Sequence, residues 1–422
     1  MHSIEDLYEI YRRNPIISTD TRKIVPGCIF FALKGEHFNG NQYAEEALNK
    51  GAAYAVIDEP QYNGKDRGLV EDCLTALQDL ARHHRKQLEI PVIGLTGSNG
   101  KTTSKELLRD ALKQKFKVYA TKGNLNNHIG VPLSILEIAN EHEIAVIEMG
   151  ANHQKEIEFL CTISKPDMGF ITNFGKAHLE GFGGFKGVVK GKSELYDYLR
   201  TSGGLAFVCA DDKKQMKRSN GIKRITFGEE SGDLHIGPQA QGIYVGVQWN
   251  DRMAMSQLTG AYNYRNLTYA VLIARHFGVE DDDIVSGLES YRPNLNRSQF
   301  QKRQRNNLIV DCYNANPTSM KAAIENLRSF DRPFAILGDM LELGEDSGKE
   351  HKKICKLLKK EGIEEVILVG PLFAACKRPD EFTSFATTEE AAQYLKKHGP
   401  KERTVLLKGS RGIALEQLIP YL

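Results

Sequence analysis

The segment Thr96-Gly97-Ser98-Asn99-Gly100-Lys101-Thr102-Thr103 constrains this chain more than any other. It follows the apolar run Val92-Ile93-Gly94-Leu95 and precedes a stretch with apolar residues at Leu107, Leu108, Ala111 and Leu112, which reads as strand, tight loop, helix. Glycines let backbone N–H groups approach phosphate oxygens, and the helix N-terminus adds partial positive charge. Lys101 reaches the terminal phosphates of such a ligand, and the Thr102 hydroxyl suits a magnesium ion. Gly97, Ser98, Asn99, Gly100, Lys101, Thr102 and Thr103 are therefore expected to hold the phosphates of a nucleotide. Leu95 stands where the first glycine of the longer GxxxxGK[ST] loop would fall, so this is the shorter GxxGKT form.

A strand-loop-helix unit of this kind needs a parallel sheet around it, and the rest of the chain supplies the rhythm. Strand-like runs at Val92 to Leu95, Ala145 to Ile147, Phe170 to Thr172 and Leu205 to Cys209 alternate with helical patterns from Thr102 and around Lys186 to Leu199. Before them, Cys28 to Leu33 and Tyr54 to Ile57 flank a helical segment from Gln42 to Lys50, and a longer helix from Glu71 to about Gln87 leads to Pro91. Between about Lys223 and Thr259 short alternating runs around Asn250-Asp251 suggest antiparallel hairpins. A helix from about Asn263 to Phe277 follows, and then strands at Leu308 to Val310, Phe334 to Leu337, Val366 to Val369 and Val405 to Leu407. At 422 residues one core does not suffice. The expectation is an α/β protein of three domains: a small N-terminal α/β domain over 1–88, a central P-loop ATPase-like domain with a mostly parallel sheet over 89–294, and a C-terminal Rossmann-like domain over 295–422.

Charge narrows the function classes. Lys plus Arg number 56 against 54 for Asp plus Glu, so there is no broad electrostatic reason to bind nucleic acid or an anionic membrane, and any phosphate binding must be local. No basic patch and apolar core open the chain, and nowhere do 18 apolar residues run together, so a cytoplasmic protein without membrane partners is expected. Seven dispersed cysteines with no CxxC pair suit neither a zinc site nor a disulfide framework and read as reduced.

Phosphoryl transfer also needs acidic groups opposite the loop. Glu148, in Ala145-Val146-Ile147-Glu148-Met149-Gly150, ends an apolar run and is a metal-ligand candidate, although a carboxylate in that position is also a common solvated loop end. His178, in Thr172-Asn173-Phe174-Gly175-Lys176-Ala177-His178-Leu179-Glu180-Gly181-Phe182-Gly183, suits a second cation or simple packing. Lys192 by itself reads as one of several solvated lysines on a helix.

Together these segments resemble the Mur ligase family of peptidoglycan synthesis, over essentially the whole chain. The resemblance implies an ATP-dependent ligase that activates a carboxylate as an acyl phosphate and joins it to an amine. It implies two Mg²⁺ ions held by Thr102, Glu148, His178 and a carbamylated Lys192. Three segments are similar to the branch that adds D-alanyl-D-alanine to a UDP-N-acetylmuramoyl tripeptide: Gly123 to Pro132, Asp311-Cys312-Tyr313-Asn314-Ala315-Asn316-Pro317, and Leu337 to Gly344. The same resemblance assigns Asp311 to the ATP ribose, Asn266 to the adenine side and Arg297 to the phosphates after domain closure. It places Ser18, Thr19, Asp20 and Arg22 at the UDP end of the substrate, Asn126, Asn127 and Asn314 at substrate positions, and Lys408 and Ser410 in the segment facing the dipeptide. Taken alone, Ser18 to Arg22 is equally a turn cluster, and Asn316-Pro317 is a helix start.

Small-molecule substrates and a monomer are the expected state. Four positions depart from the family pattern: Val310 where an acidic residue is common, Cys312 for Ser, Tyr262 for His and Gly184 for Ser. Another Mur-type ligase or folylpolyglutamate synthase is the rival within the fold, and the Asn-rich segments argue against both. A regulatory nucleotide switch is the rival of another class, but the chain has no guanine-reading NKxD motif.

Overall fold

Three parallel-rich sheets organise the chain in the computed structural model, which describes residues 2–293 and 296–422. The expected division between residues 294 and 295 falls outside the described residues. The first sheet has four parallel strands in the order Ile17–Ser18, Ile29–Phe31, Tyr54–Ile57, Arg67–Leu69. The long helix Cys73–Gln87 begins at Asp72, whose side chain accepts from the Thr75 amide and so satisfies a free helix-start donor.

That helix joins the first sheet to the second. Its buried Arg85 donates to the Ser164 carbonyl at 2.9 Å, the Lys165 carbonyl at 3.0 Å and the Asp167 carboxylate at 2.9 Å. Asp167 also accepts from the Val92 amide at 2.8 Å, so the same charge pair fixes the first residue of the strand that leads to the phosphate loop. Arg85→Ala strips the two carbonyls of their donor, while Asp167 keeps half of its side chain in solvent, so the change should cost roughly 2 kcal/mol. Chemical denaturation should show this as a lower midpoint, and an unchanged midpoint would mean the joint is held elsewhere.

The central sheet has nine strands. From one edge they run Val118–Ala120, Ile144–Glu148, Val92–Thr96, Met168–Ile171, Leu205–Cys209, Lys223–Gly228, Leu234–Gln241, Tyr244–Trp249, Arg252–Thr259. Pairing is parallel through Leu234–Gln241 and antiparallel only in the last two steps. This corrects the hairpin reading of the whole Lys223 to Thr259 region, because Lys223–Gly228 pairs in parallel with Leu205–Cys209. Alternating burial states that a run is a strand but not which way its neighbour points. The Asn250-Asp251 turn does join antiparallel strands, with Trp249 opposite Arg252 and Asn250 at φ 49°.

The strand Val92–Thr96 lies between Ile144–Glu148 on one side and Met168–Ile171 on the other. The chain thus leaves this strand toward one edge and returns on its far side, which opens a crevice at its C-terminal end. Register places Leu95 opposite Glu148 and Thr96 opposite Ile171, so the phosphate loop, Glu148 and the Thr172-Asn173 segment all emerge at that crevice.

The third sheet runs Gln299–Lys302, Asn307–Val310, Thr404–Lys408, Pro333–Gly338, Glu365–Val369, Thr383–Phe385, and only its first pair is antiparallel. Asn316 caps the helix Pro317–Leu327 through a reciprocal pair with Ser319, as its sequence predicts. The cap also reaches the central domain: the Asn316 side chain donates to Asn99 Oδ1 at 2.6 Å, and the Lys176 backbone donates to Thr318 Oγ1 at 2.9 Å. Lys176 Nζ meets Glu350 at 2.9 Å. The third sheet's C-terminal edge is thereby docked over the phosphate loop. All seven cysteines are unpaired, and six of them are buried. No described helix is long and apolar enough to cross a membrane.

Candidate active site

Two glycines decide the shape of the loop. Gly97 has φ 147°, and a Cβ there would lie 2.0 Å from Thr172 Oγ1; Gly100 has φ 79°, and a Cβ would lie 2.4 Å from Asn266 Oδ1. Neither position tolerates a side chain. Asn173 then ties the loop to the neighbouring strand, accepting from the Asn99 amide at 3.2 Å and donating to the Asn99 carbonyl at 2.8 Å.

Lys101 opens the helix Lys101–Leu112 and folds back to donate to the Gly97 carbonyl at 2.9 Å. Burial pushes its pKa down, Glu148 opposes that shift, and Arg297 adds to it. The Thr102 hydroxyl donates to Glu148 Oε2 at 3.0 Å, and Asn126 Nδ2 donates to Glu148 Oε1 at 2.8 Å. Glu148 is only 1% exposed, so it is not a solvated loop end. It joins the phosphate loop on one side to the Asn-rich segment on the other.

A cavity of about 990 Å³ opens between the central and third domains. Ser98 through Thr103, Asn126, Asn127, Glu148, His178, Asn266, Arg297, Asp311, Asn314 and Lys408 all line it. Residues more than 300 positions apart in the chain therefore meet at one site. Asn266 accepts from Ser104 at 3.0 Å and donates to Asn263 at 2.8 Å, which holds it beside Gly100. The Arg297 guanidinium lies 3.6 Å from the Tyr313 ring centroid. Its Nε and the Asn99 Nδ2 are buried with no acceptor among the described residues, a donor surplus that suits an anionic occupant.

Asp311 and Lys408 prove to be partners, with Nζ 2.6 Å from Oδ2, while Asp311 Oδ1 accepts from the Ser298 amide at 3.2 Å. His178 sits at φ 52° and turns its Nδ1 to Glu342 of the third domain, whose carboxyl pKa this contact lowers. Lys192 differs most from the solvated helix face that its local pattern alone suggests. It is 1% exposed rather than solvated, and helix Phe185–Ser202 presents its inner face there. Its amine has one hydrogen-bond acceptor among the described residues, Ala151 O at 2.9 Å, and lies 5.0 Å from the Phe182 ring centroid. Burial holds its pKa well below the ordinary lysine range, and the Lys101 charge adds to this.

Gly97 and Lys192 are not among the residues that line the cavity, and neither are Ser410 or the residues expected at the UDP end. Asp20 accepts from the Arg22 amide at 3.0 Å and from its guanidinium at 2.9 and 2.8 Å, which brings the carboxyl down to about 2. Ser18 donates to the Asp20 carbonyl, so Ser18, Thr19, Asp20 and Arg22 form a self-capped turn on the first sheet. Ser410 accepts from the Leu341 amide at 3.0 Å, beneath the lining. Sequence reasoning did not single out Asn173, Tyr313 or Lys105. Only Lys105 carried a local signal, lying one helical turn beyond Lys101.

Among the described residues no three His, Cys, Asp or Glu side chains gather as a metal group. One buried carboxylate and one hydroxyl beside a phosphate loop fit a hard cation that takes its remaining ligands from phosphate and water.

The fold and this crevice define a three-domain nucleotide-dependent ligase architecture, and comparison with known proteins makes the class specific. Residues 15–85 match the Mur ligase family catalytic domain, residues 95–274 the Mur ligase middle domain, and residues 296–411 the Mur ligase glutamate ligase domain. The chain belongs to the Mur ligase family. It is 32% identical to the UDP-N-acetylmuramoyl-tripeptide–D-alanyl-D-alanine ligase of Bacillus subtilis, with 96% of this chain and 92% of that one covered. Among solved structures it is similar to MurF from Acinetobacter baumannii, at 34% identity, TM-score 0.88 and coverage of 96% and 92%. MurF ligase from Thermotoga maritima, solved in complex with ADP, matches at 28% identity and TM-score 0.85 over 100% of this chain and 98% of that one.

Proposed function

We propose that this chain joins D-alanyl-D-alanine to a UDP-N-acetylmuramoyl tripeptide, converting ATP to ADP and phosphate and producing a UDP-N-acetylmuramoyl pentapeptide. The observation that carries this reading is Glu148, gripped at once by Thr102 of the phosphate loop and Asn126 of the Asn-rich segment. The likeness to D-alanyl-D-alanine ligases over nearly the whole chain supports the choice of substrates.

In this reading the tripeptide's terminal carboxylate attacks the γ-phosphorus of ATP, the bond to the bridging oxygen breaks, and ADP leaves with that electron pair. Lys101 turns from Gly97 to the γ-phosphate, and Arg297, stacked on Tyr313, meets the same charge from the third domain. The dipeptide amine then attacks the acyl phosphate, and the tetrahedral intermediate collapses to amide and phosphate, with the amine losing a proton to solvent. Two magnesium ions, when bound, neutralise charge on the phosphates; Thr102, Glu148, His178 and carbamylated Lys192 are the side chains proposed to hold them. Asn266 serves the adenine side, Asp311 the ribose, and Asn127, Asn314, Lys408 and Ser410 the peptide substrates, with Ser18, Thr19, Asp20 and Arg22 at the distant UDP end. The division into domains at 1–88, 89–294 and 295–422 belongs to the same proposal. Docking of the third domain excludes water from an acyl phosphate that would otherwise hydrolyse. The protein works as a cytoplasmic monomer on small molecules, without nucleic acid or membrane.

Phosphate release from ATP should require both UDP-N-acetylmuramoyl tripeptide and D-alanyl-D-alanine, with the pentapeptide detected by mass. Release independent of the dipeptide would overturn the assignment in favour of another ligase or a nucleotide switch.

A further inference from the structure

Lys105 is the most deeply buried lysine that the proposed chemistry does not use, at 0% exposure. A charge so placed must be matched by neighbours, and the identity of those neighbours is informative. Its Nζ donates to the Thr121 carbonyl at 2.5 Å and the Gly123 carbonyl at 3.2 Å, and it lies 3.2 Å from Glu106 Oε1 and 3.7 Å from Glu148 Oε2. Thr121 and Gly123 begin the segment that carries Asn126, and Thr121 Oγ1 also accepts from the Glu148 amide at 3.0 Å. Asn126 closes the circuit, donating its side chain to Glu148 and accepting the Gly150 amide at 2.7 Å.

We propose that Lys105 is a positioning residue that locks residues 121–127 against Glu148, so that the substrate-facing Asn126 and the phosphate loop keep a fixed spacing. The inference deepens the reading of the site as a ligase with a tripeptide carboxylate in it, and rests on that reading for its kinetic arm. The physical reason is reach. Lys101 and Lys105 leave the same helix face one turn apart. Lys101 points into the loop, and Lys105 reaches past Glu148 to backbone carbonyls of the neighbouring segment. One rigid helix therefore sets both halves of the crevice.

Lys105→Met tests this with two readouts. Hydrogen exchange in the substrate-free protein should show faster exchange across residues 121–130, with exchange in the 96–103 loop unchanged. Kinetically, KM for the UDP-tripeptide should rise about tenfold while KM for ATP stays near the wild-type value. Lys105→Gln retains two N–H donors on a shorter arm; it should show intermediate exchange over 121–130 and an intermediate rise in KM for the UDP-tripeptide, and so carries the same comparison if the methionine variant does not fold. Unchanged exchange over 121–130 would overturn the proposal, as would a parallel rise in both KM values, which would make Lys105 a general support of the crevice with no selective hold on residues 121–127. Should the wild-type protein not use the tripeptide at all, the functional assignment fails, and the exchange result still decides whether Lys105 holds the segment.

Discussion

Lys101→Ala is expected to lower turnover by about 10³-fold or more, with the protein still folded. The loop's shape does not depend on this side chain, because Gly97 and Gly100 set the backbone and Asn173 anchors it. What the substitution removes is a half-buried ammonium that rests on the Gly97 carbonyl, with no carboxylate in hydrogen-bond contact among the described residues. Such a charge is poised to leave its resting acceptor for a transferring phosphoryl group, where the gain appears in the transition state more than in ground-state binding. The rate of phosphate release, set against thermal unfolding of the variant, checks this. A stable variant that retains near-full rate would remove Lys101 from the chemistry.

Lys192→Ala should cost about 10²-fold in activity, with partial recovery when a short carboxylic acid such as acetate or propionate is added. An ammonium at this position would have three donors and one acceptor, Ala151 O, in a buried site already near Lys101. Burial and the Lys101 charge therefore favour the neutral amine, which is the form that takes up CO₂. A carbamate there would reverse the sign of the charge and make the group able to hold a cation. The direction with pH follows: the lowered pKa keeps a larger neutral fraction near neutrality than an ordinary lysine has, and acidification protonates the amine and removes the carbamate. Activity of the wild-type enzyme should accordingly fall in CO₂-depleted buffer and return with bicarbonate, more slowly at lower pH. Absence of rescue in the alanine variant, together with indifference to bicarbonate, would refute the carbamate.

Much of the site was legible because its signals are local. The phosphate loop is a run of eight residues whose glycines, lysine and threonine each answer one geometric demand, and the strands on either side are apolar runs. Asn316-Pro317 announces a helix start by residue type alone, and the helix begins there. Glu148 could be placed at a strand end, but its near-complete burial could not be read from one position.

The chain by itself determined the three α/β units, the phosphate loop and the residues available to a ligase, because backbone propensity, apolar periodicity and loop chemistry act over a few neighbouring positions. Tertiary structure alone decided that Lys192 and Lys105 are buried, that Asp311 pairs with Lys408 across 97 positions, and that Asn316 reaches Asn99 across 217. A helical lysine shows the same local pattern whether its face meets solvent or a sheet. Only the order of strands in the sheets and the docking of one domain on another fix which charges must share a low-dielectric site, and so which pKa values move.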